Sequence, residues 1–376
     1  MLIRDGLIER LGADLSAQAA DHVIDARGLT VLLGMIDSQV RFREPGMSNK
    51  ADIASESRAA VAGGITSYLD MPNTIPNTLN RALLEDKYTL AATRSRANHG
   101  FYFGAANDNL EEIKRLDPRA ACGVKVFMGA STGNMLVDDL SVLEGIFRHA
   151  PTLIATHCED TPTIRANEER YRASYGENVP IELHPLIRSR KACVHFLHFT
   201  EADYATKGTL IKCNPAIKTA ADRVGLIDAL LADRLDIIAT DHAPHPWEEK
   251  QRGYFGAPSG LPLVQYALLS LLEHYHDGRF TLPFIARKTA HAVADCFQIK
   301  ERGYIREGYW ADLVLLDLER GTTASNADVL SKCGWTPFDG YRFRSRVHAT
   351  IVSGQVAWEN GVIQPSVRGR RLAYNR

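Results

Sequence analysis

Short apolar runs alternate with amphipathic stretches along the middle of the chain. Such runs are typical of buried strands and such stretches of helices, so their alternation predicts parallel βα units. The apolar runs predict strands at 31–37, 65–71, 101–105, 124–128, 153–157 and 235–240. The amphipathic stretches predict helices at 51–62, 79–98, 108–116, 139–149, 161–173, 261–276 and 281–297.

The two ends of the chain have a different pattern. Their apolar runs are short, alternate with polar residues and are separated by Asp-Gly and Arg-Gly pairs, which are hairpin signals. Strands of the same style recur at 311–317 and 348–358. We therefore predict one small β-sandwich made of residues 1–33 and 304–376, with a barrel of residues 34–303 between them.

The number of strands is a problem for this barrel. A closed barrel of parallel strands needs eight, more than the pattern supplies. Residues 194–200 form a seventh apolar run, and Thr209–Cys213 could serve as a substitute strand. We expect an α/β protein with a TIM-like (β/α) barrel that is either one strand short or completed by this substitute.

Composition narrows the class of protein. Of the 376 residues, 45% are apolar and 24% charged, which suits a globular chain, and the net charge of -1 argues against nucleic-acid partners. Six cysteines without a CxxC pair indicate reduced thiols. The N-terminus is charged, and no run approaches the roughly 20 apolar residues of a membrane span. We expect a cytoplasmic protein without a membrane partner.

Polar motifs follow the ends of the predicted strands. In a parallel barrel the carboxyl ends of the strands meet on one face, where active sites lie, so these motifs predict one convergent site. The five motifs are Asp37–Gly46 (DSQVRFREPG), Asp70–Thr74 (DMPNT), Lys125–Met128 (KVFM), Thr156–Asp160 (THCED) and Thr240–His245 (TDHAPH).

Together these motifs resemble the cyclic amidohydrolases of the amidohydrolase superfamily, and dihydroorotases most closely, over residues 24–361. The resemblance implies an amidohydrolase-type (β/α) barrel with a small β-sandwich. It also implies reversible hydrolysis of dihydroorotate to N-carbamoyl-aspartate in pyrimidine biosynthesis. Because the family is commonly dimeric or larger, it implies a homo-oligomer.

The resemblance also assigns a metal site. In the family, two metal ions share a lysine carbamate, and metal-bound hydroxide attacks the ring amide. Lys125 matches the carbamylated lysine, His157 matches a ligand, and Asp241 matches the residue that binds metal and moves the proton. His198 is a ligand if 192–200 corresponds to the first of two family strands, and a core or rim histidine if it corresponds to the second. His242 and the histidines at positions 22, 99, 149, 274, 276, 291 and 348 are interpreted as structural.

Two residues depart from the family pattern. The first strand of relatives carries a His-x-His metal motif, and here those positions are Gln39 and Arg41. A guanidinium has no lone pair to give and stays protonated. We therefore expect one zinc ion rather than two, and an ion pair between Arg41 and Asp241 in place of the other.

The residues assigned to the substrate are better matched. Arg43, Asn73 and His245 match the family's contacts to the substrate carboxylate, and Asn214 more loosely matches a contact to the ring. Alternatively, Asn73 holds its turn and Arg43 pairs with Glu44. Three positions for a carboxylate favour dihydroorotate over hydantoins or allantoin.

Two functions of different classes follow. The first is a zinc-dependent dihydroorotase. The second is an inactive dihydroorotase-like chain that serves as a structural partner, for example of aspartate transcarbamoylase. Loss of the His-x-His motif favours the second function, and the retained Arg43 and Asn73 favour the first. Hydrolysis of another cyclic amide is a third interpretation, against which these two residues count.

Overall fold

A computed structural model describes residues 1–15, 18–129, 134–158, 161–187 and 193–376. Within these ranges no helix is long and apolar enough to cross a membrane. The strands are β1 Leu2–Arg4, β2 Leu7–Arg10, β3 Thr30–Leu33, β4 Met35–Val40, β5 Ile65–Asp70, β6 Asn98–Phe101, β7 Phe103–Gly104, β8 Val124–Phe127, β9 Ile154–His157, β10 Leu313–Asp317, β11 Thr322–Thr323, β12 Arg342–Phe343, β13 Arg346–Val352, β14 Gln355–Glu359 and β15 Val362–Ile363.

The helices are short. They are α1 Ile53–Ala62, α2 Arg81–Arg94, α3 Leu110–Lys114, α4 Leu140–His149, α5 Thr161–Tyr175, α6 His184–Ile187, α7 Val194–His198, α8 Tyr204–Lys207, α9 Ala220–Leu231, α10 Trp247–Lys250, α11 Ala267–His276, α12 Leu282–Ala286 and α13 Ala292–Cys296. Short 3₁₀ segments lie at Ile181–Leu183, Glu201–Asp203, Gly208–Ile211 and Asn326–Asp328, and a π-helical turn at Arg287–His291 joins α12 to α13.

Both ends of the chain contribute to one antiparallel sheet. Its strand order is β15-β14-β13-β10-β3, and Leu33 of β3 lies opposite Leu313 of β10. The β1–β2 hairpin covers one face of this sheet, because Ile8 is fully buried among apolar residues of β10 and β13. Alternating side chains of two packed layers thus form a small core of their own, as in a sandwich.

Parallel strands form the barrel in two sheets, ordered β4-β5-β6 and β7-β8-β9. Tyr102 separates β6 from β7, and its hydroxyl donates to the Ser38 carbonyl at 3.0 Å. β5 and β8 are buried along their whole length, as strands covered on both faces must be. Their carboxyl ends point to the same side and carry the motifs found in the sequence.

The segment 236–240 lies beside β4 without forming a regular strand, so the predicted strand 235–240 is wrong. Its backbone amides donate hydrogen bonds to a side chain and to a helical turn instead of to a neighbouring strand. The Thr240 amide donates to the Asp37 carboxylate at 3.1 Å, and the Ile238 amide donates to the Lys288 carbonyl at 3.0 Å. A parallel bridge between Val40 and His242 continues the contact with β4.

The segment 194–200 is also not a strand. Residues 194–198 form α7, whose first amide donates to the Ala239 carbonyl at 3.1 Å, and the proposed substitute 209–213 begins as 3₁₀ helix. Periodicity alone does not separate a short buried helix from a short buried strand. Between β9 and the segment 236–240, the described chain therefore places α7 rather than a further parallel strand.

Helix α1 shows how local chemistry fixes an element beside the site. Asp52 caps its first turn by accepting from the Ser55 amide at 2.8 Å, and Ser55 returns a bond to Asp52. The helix ends at Gly63, where an added Cβ would lie 2.2 Å from the Val264 carbonyl oxygen. Gly64 follows with φ +82°, a conformation that favours glycine.

The C-terminal tail lies on the barrel rather than on the sandwich sheet. The His99 amide donates to the Arg370 carbonyl, and the Leu372 amide donates to the His99 carbonyl, both at 2.9 Å. Leu372 and Tyr374 are buried in a cluster with Ile36 of β4. The tail therefore covers the end of the barrel that lies away from the polar motifs.

Candidate active site

A cavity of about 320 Å³ opens at the carboxyl ends of the barrel strands. It brings together six of the eight residues assigned from the sequence, namely Arg43, Asn73, His157, Asn214, Asp241 and His245. Arg41, Phe127, His195, Cys213, Ala243 and residues 258–261 complete its lining. A larger cavity of about 520 Å³ lies between α7 and α9, but it contains none of the assigned residues.

Arg43 lies in the wall of the smaller cavity. It has φ +69°, which turns its side chain out of the strand pattern, and its Nε donates to the Pro244 carbonyl at 3.2 Å. Burial and the charge of Arg41 lower the pKa of Arg43 to about 10, so it stays a cation at neutral pH. Glu44 pairs with Arg94 instead, and the alternative of an Arg43–Glu44 pair is wrong.

His245 lies between two cations. Its Nε2 is 2.9 Å from Arg43 Nη2, and its Nδ1 is 3.1 Å from Lys50 Nζ. Burial, followed by the charges of Arg43 and Lys50, holds the pKa of His245 far below its usual range, so the ring is neutral. A neutral imidazole accepts at one nitrogen only, and Lys50 Nζ also donates to Glu249 Oε2 at 2.7 Å.

Asn73 and Asn214 supply amides on two sides of the cavity. The turn after β5 is held by other groups: the amides of Thr74 and Thr78 both donate to the Pro72 carbonyl at 2.9 Å. In the described structure, no hydrogen bond of the Asn73 side chain supports this turn. Asn214 Oδ1 is buried and has no hydrogen-bond partner among the described residues.

Arg41 and Asp241 form the ion pair that the sequence predicts. Arg41 Nη1 donates to Asp241 Oδ1, and the two side chains are 16% and 10% exposed. The backbone holds the same contact, since the Arg41 amide donates to the His242 carbonyl at 2.8 Å. Asp241 has φ +53°, so the chain turns sharply where its carboxylate enters the cavity.

Lys125 is the second residue of β8, and His157 is the last residue of β9. Lys125 is buried, and its Nζ lies 5.0 Å from the centre of the Phe127 ring. His157 lines the cavity, whereas Lys125 is not among the lining residues. Glu159 and Asp160, which extend the His157 motif, lie outside the described residues.

His198 lies away from the cavity. It is the last residue of α7, its ring packs 4.9 Å from the rings of Phe338 and Tyr341, and its Nδ1 is 3.3 Å from Ser270 Oγ. Burial lowers the pKa of His198 to about 4. This position corrects the assignment as a ligand and agrees with the alternative of a core histidine.

His195 lines the cavity instead. The apolar run 194–200 predicts a strand, and a strand does not indicate His195 as a site residue. Residues three apart point to opposite faces of a strand, so placing His198 inward turned His195 outward. A helical interpretation of the same run would have brought His195 into consideration.

Similarity to known proteins identifies the family. A sequence model described as the amidohydrolase family matches residues 30–357. The chain belongs to the amidohydrolase family. The dihydroorotase of Pyrococcus furiosus is 32% identical, with 98% of this chain and 91% of that protein covered. The dihydroorotase of Methanothermobacter thermautotrophicus is 30% identical, with 92% and 88% covered.

Other relatives broaden the range of reactions. The allantoinase of Desulfitobacterium hafniense is 28% identical, with 98% of this amidohydrolase and 94% of that protein covered. The structure of L-hydantoinase from Arthrobacter aurescens matches with a TM-score of 0.91 at 24% identity and covers 99% and 95% of the two chains. This likeness confirms the predicted fold class. The relatives support a cyclic amidohydrolase function and do not single out one ring.

Amidohydrolases are typically metal-dependent, and a metal ion needs a suitable set of donor groups. Zinc requires lone pairs from imidazole, thiolate or carboxylate groups. Within the described ranges, no three His, Cys, Asp or Glu side chains are grouped so as to hold a metal. Arg41 occupies one oxygen of Asp241 and offers no lone pair. The described residues therefore do not fit the zinc site with carbamylated Lys125 that the resemblance implies.

Buried polar residues support the cavity wall from behind. His242 Nε2 donates to Glu56 at 2.8 Å, and its Nδ1 accepts from the Leu263 amide at 2.9 Å, which agrees with a structural role. Lys250 Nζ donates to the carbonyls of Lys212, Pro258 and Gly260 at 2.9, 3.0 and 3.0 Å. Lys250 thus fixes the loop that closes one side of the cavity.

Proposed function

We propose that this amidohydrolase acts on dihydroorotate, opening its ring to N-carbamoyl-aspartate and closing it in the reverse direction. The observation that carries the proposal is the position of Arg43, Asn73 and His245 in one cavity. The relatives named dihydroorotase support the same substrate.

The cavity offers the chemistry that a small carboxylate needs. Arg43 is buried and charged, and a guanidinium can donate two parallel N–H bonds to a carboxylate. Lys50, the second cation beside His245, donates to Glu249 Oε2 at 2.7 Å, so Arg43 is the cation that the proposal assigns to the carboxylate. Hydantoin and allantoin rings carry no carboxylate, so they would leave these donors unsatisfied, at a cost of about 1–3 kcal/mol for each buried group.

Asn214 and Asp241 are assigned to the ring. The unpaired Asn214 Oδ1 can accept from a ring N–H. Asp241 is the proton carrier in this proposal: it takes a proton from water as the water oxygen bonds to the ring carbonyl carbon. The C–N bond then breaks, and the proton passes to the leaving nitrogen. Arg41 stabilises the ionised form of Asp241 that accepts the proton.

The first experiment compares dihydroorotate with 5,6-dihydrouracil, which has the same ring without the carboxylate. Calorimetry should detect binding of dihydroorotate and none, or far weaker binding, of dihydrouracil. Arg43→Gln should lower the affinity for dihydroorotate at least about tenfold, because a charged hydrogen bond is worth about 1.5–3 kcal/mol. Arg119→Gln, at an exposed arginine paired with Asp117, is the matched control. Equal affinity for both rings would refute the carboxylate assignment.

A second candidate function is binding without turnover, and the Arg41–Asp241 pair favours it. In that case the chain is a structural partner, of further copies of itself or of an enzyme such as aspartate transcarbamoylase. Hydrolysis of dihydroorotate, followed by ultraviolet absorbance on the sample used for calorimetry, separates the candidates. Binding with turnover supports the enzyme, and binding without turnover supports the partner. Light scattering on the same sample measures the number of copies in the assembly.

A further inference from the structure

Three polar residues lie at the end of β4 and just beyond it, near the segment 240–241. Asp37 and Gln39 belong to β4, whose pairing with β5 is irregular between Asp37 and Val40, and Arg41 follows the strand directly. Asp37 accepts from the Thr240 hydroxyl at 2.5 Å, and Arg41 donates to Asp241. Gln39 lies between Asp37 and Arg41 in the sequence, and its amide donates to the Asp37 carboxylate at 3.2 Å. The contacts of Asp37 and Arg41 join the first barrel strand to the last barrel segment.

Gln39 and Arg41 both have hydrogen-bond donors available. Gln39 Nε2 is buried and, among the described residues, has no hydrogen-bond partner. The one side-chain hydrogen bond recorded for Arg41 in the described ranges uses Nη1, and a guanidinium carries five N–H donors. Arg41 also lines the cavity. An oxygen acceptor would satisfy these groups, whereas a cation would not.

We infer that the Arg41 guanidinium, fixed on Asp241, takes the place of a metal ion in this amidohydrolase. It excludes divalent cations from the Asp241 side of the cavity, and Arg41, which lines the cavity, receives an oxygen acceptor of the ligand. The identity of that ligand rests on the proposed function, and the exclusion of metal does not.

Electrostatic repulsion and the occupied carboxylate oxygen both oppose the binding of a metal ion at Asp241. A divalent ion bound to Asp241 would lie within a few ångströms of the Arg41 guanidinium, where like charges repel strongly in a partly buried site. The ion would also have to displace Arg41 from Asp241 Oδ1. Arginine does not lose its proton under ordinary conditions, so a change of pH does not relieve the repulsion.

The first test measures zinc directly. The wild-type chain is dialysed against zinc chloride, separated from free metal by gel filtration and analysed by mass spectrometry. It should hold far less than one zinc ion per chain. Gln39→His/Arg41→His restores two imidazole donors and should bind about one zinc ion per chain. Gln39→His alone keeps the guanidinium and should stay metal-poor, which makes it the matched control.

Each result has a defined meaning. A wild-type chain that holds one zinc ion and loses it on Asp241→Asn would overturn the inference. Zinc uptake by Gln39→His alone would also overturn it, because Arg41 would then not be the excluding group. Failure of a folded double variant to gain zinc contradicts it as well. Thermal melting of each variant establishes that it is folded.

A second test measures the ligand rather than the metal. Dihydroorotate affinity should be the same with and without EDTA, and Arg41→Met should lower it at least about tenfold. Arg41→Lys, which keeps the charge, should retain part of the affinity. Loss of dihydroorotate affinity in EDTA would overturn the inference. If dihydroorotate does not bind the wild type at all, the proposed function fails, and the zinc measurement still decides the inference.

Discussion

Breaking the Arg41–Asp241 ion pair should reveal an energetic coupling between the first strand of the barrel and the segment 236–241. At an effective dielectric constant of about 20, two unit charges about 4 Å apart attract by about 4 kcal/mol. Desolvation offsets part of this attraction, since the two side chains are 16% and 10% exposed. We therefore expect a coupling free energy of about 1–3 kcal/mol, typical of contacting charged pairs.

A double-mutant cycle measures this coupling. Urea unfolding of the wild type, Arg41→Met, Asp241→Asn and the double variant gives four free energies of unfolding. Each single variant leaves one charged or polar partner unmatched in the cavity wall, so each should be destabilised, and the double variant should be less destabilised than their sum. An additive result, with the coupling below about 0.5 kcal/mol, would show that the pair does not hold the barrel seam.

Three other sites give separate predictions. Between pH 6.5 and 4 the unfolded chain protonates His198 and the folded chain does not, so the free energy of unfolding of the wild type falls as the pH is lowered. His198→Phe should remove this part of the fall, which amounts to at most about 3 kcal/mol over the whole range. Lys250→Met should free the Pro258 loop and weaken dihydroorotate binding in calorimetry. Asp312→Ala should lower the free energy of urea unfolding by about 3–5 kcal/mol, since it leaves buried Arg302 unpaired.

The pH prediction requires a comparison of variants because several groups titrate in the same range. Burial lowers the pKa of His99 to about 4, so protonation of His99 also destabilises the fold in acid. Burial raises the pKa of Asp37 to about 6, and the folded chain then binds more protons than the unfolded chain between pH 3.8 and 6, which opposes the histidines. The difference between wild type and His198→Phe removes both contributions. Equal pH slopes for the two chains would refute the linkage.

Local signals predicted much of the barrel. Helix α1 has an Asp52 cap and a glycine end, both readable from the residues themselves. The strands at 65–70 and 124–127 are buried along their whole length and are as short as buried parallel strands usually are. These elements form where the sequence places them because propensity, capping and burial agree.

Tertiary contacts override local pattern at 194–200 and 235–240. Both runs are apolar and short. Their hydrophobicity predicts that they are buried, but it does not predict whether they form a strand or a helix, because that depends on the segments packed against them. The Thr240 amide bonds to a carboxylate of β4 rather than to a neighbouring strand, and α7 docks its first amide on the same segment. No residue within either run signals these partners, which are distant in sequence.

For the candidate site too, some residues were predicted from the sequence and others were not. Motif similarity predicted that Arg43, Asn73 and His245 face one cavity, because strand ends converge in a parallel barrel. The chemistry of guanidinium predicted the Arg41–Asp241 pair, since a fixed cation near a buried carboxylate has one favourable arrangement. His195 could not be found in this way, because its position depends on a helix where the pattern predicts a strand.

Arg41 and Arg43 both follow β4, which ends at Val40, and their guanidinium groups make different contacts. Arg43 has φ +69°, and its guanidinium lies against Pro244 and His245. Arg41 keeps the strand direction and meets Asp241. Asp241 offsets the charge of Arg41 and leaves that of Arg43 for a carboxylate. In the proposed function, Arg41 therefore holds Asp241, and Arg43 binds the substrate carboxylate.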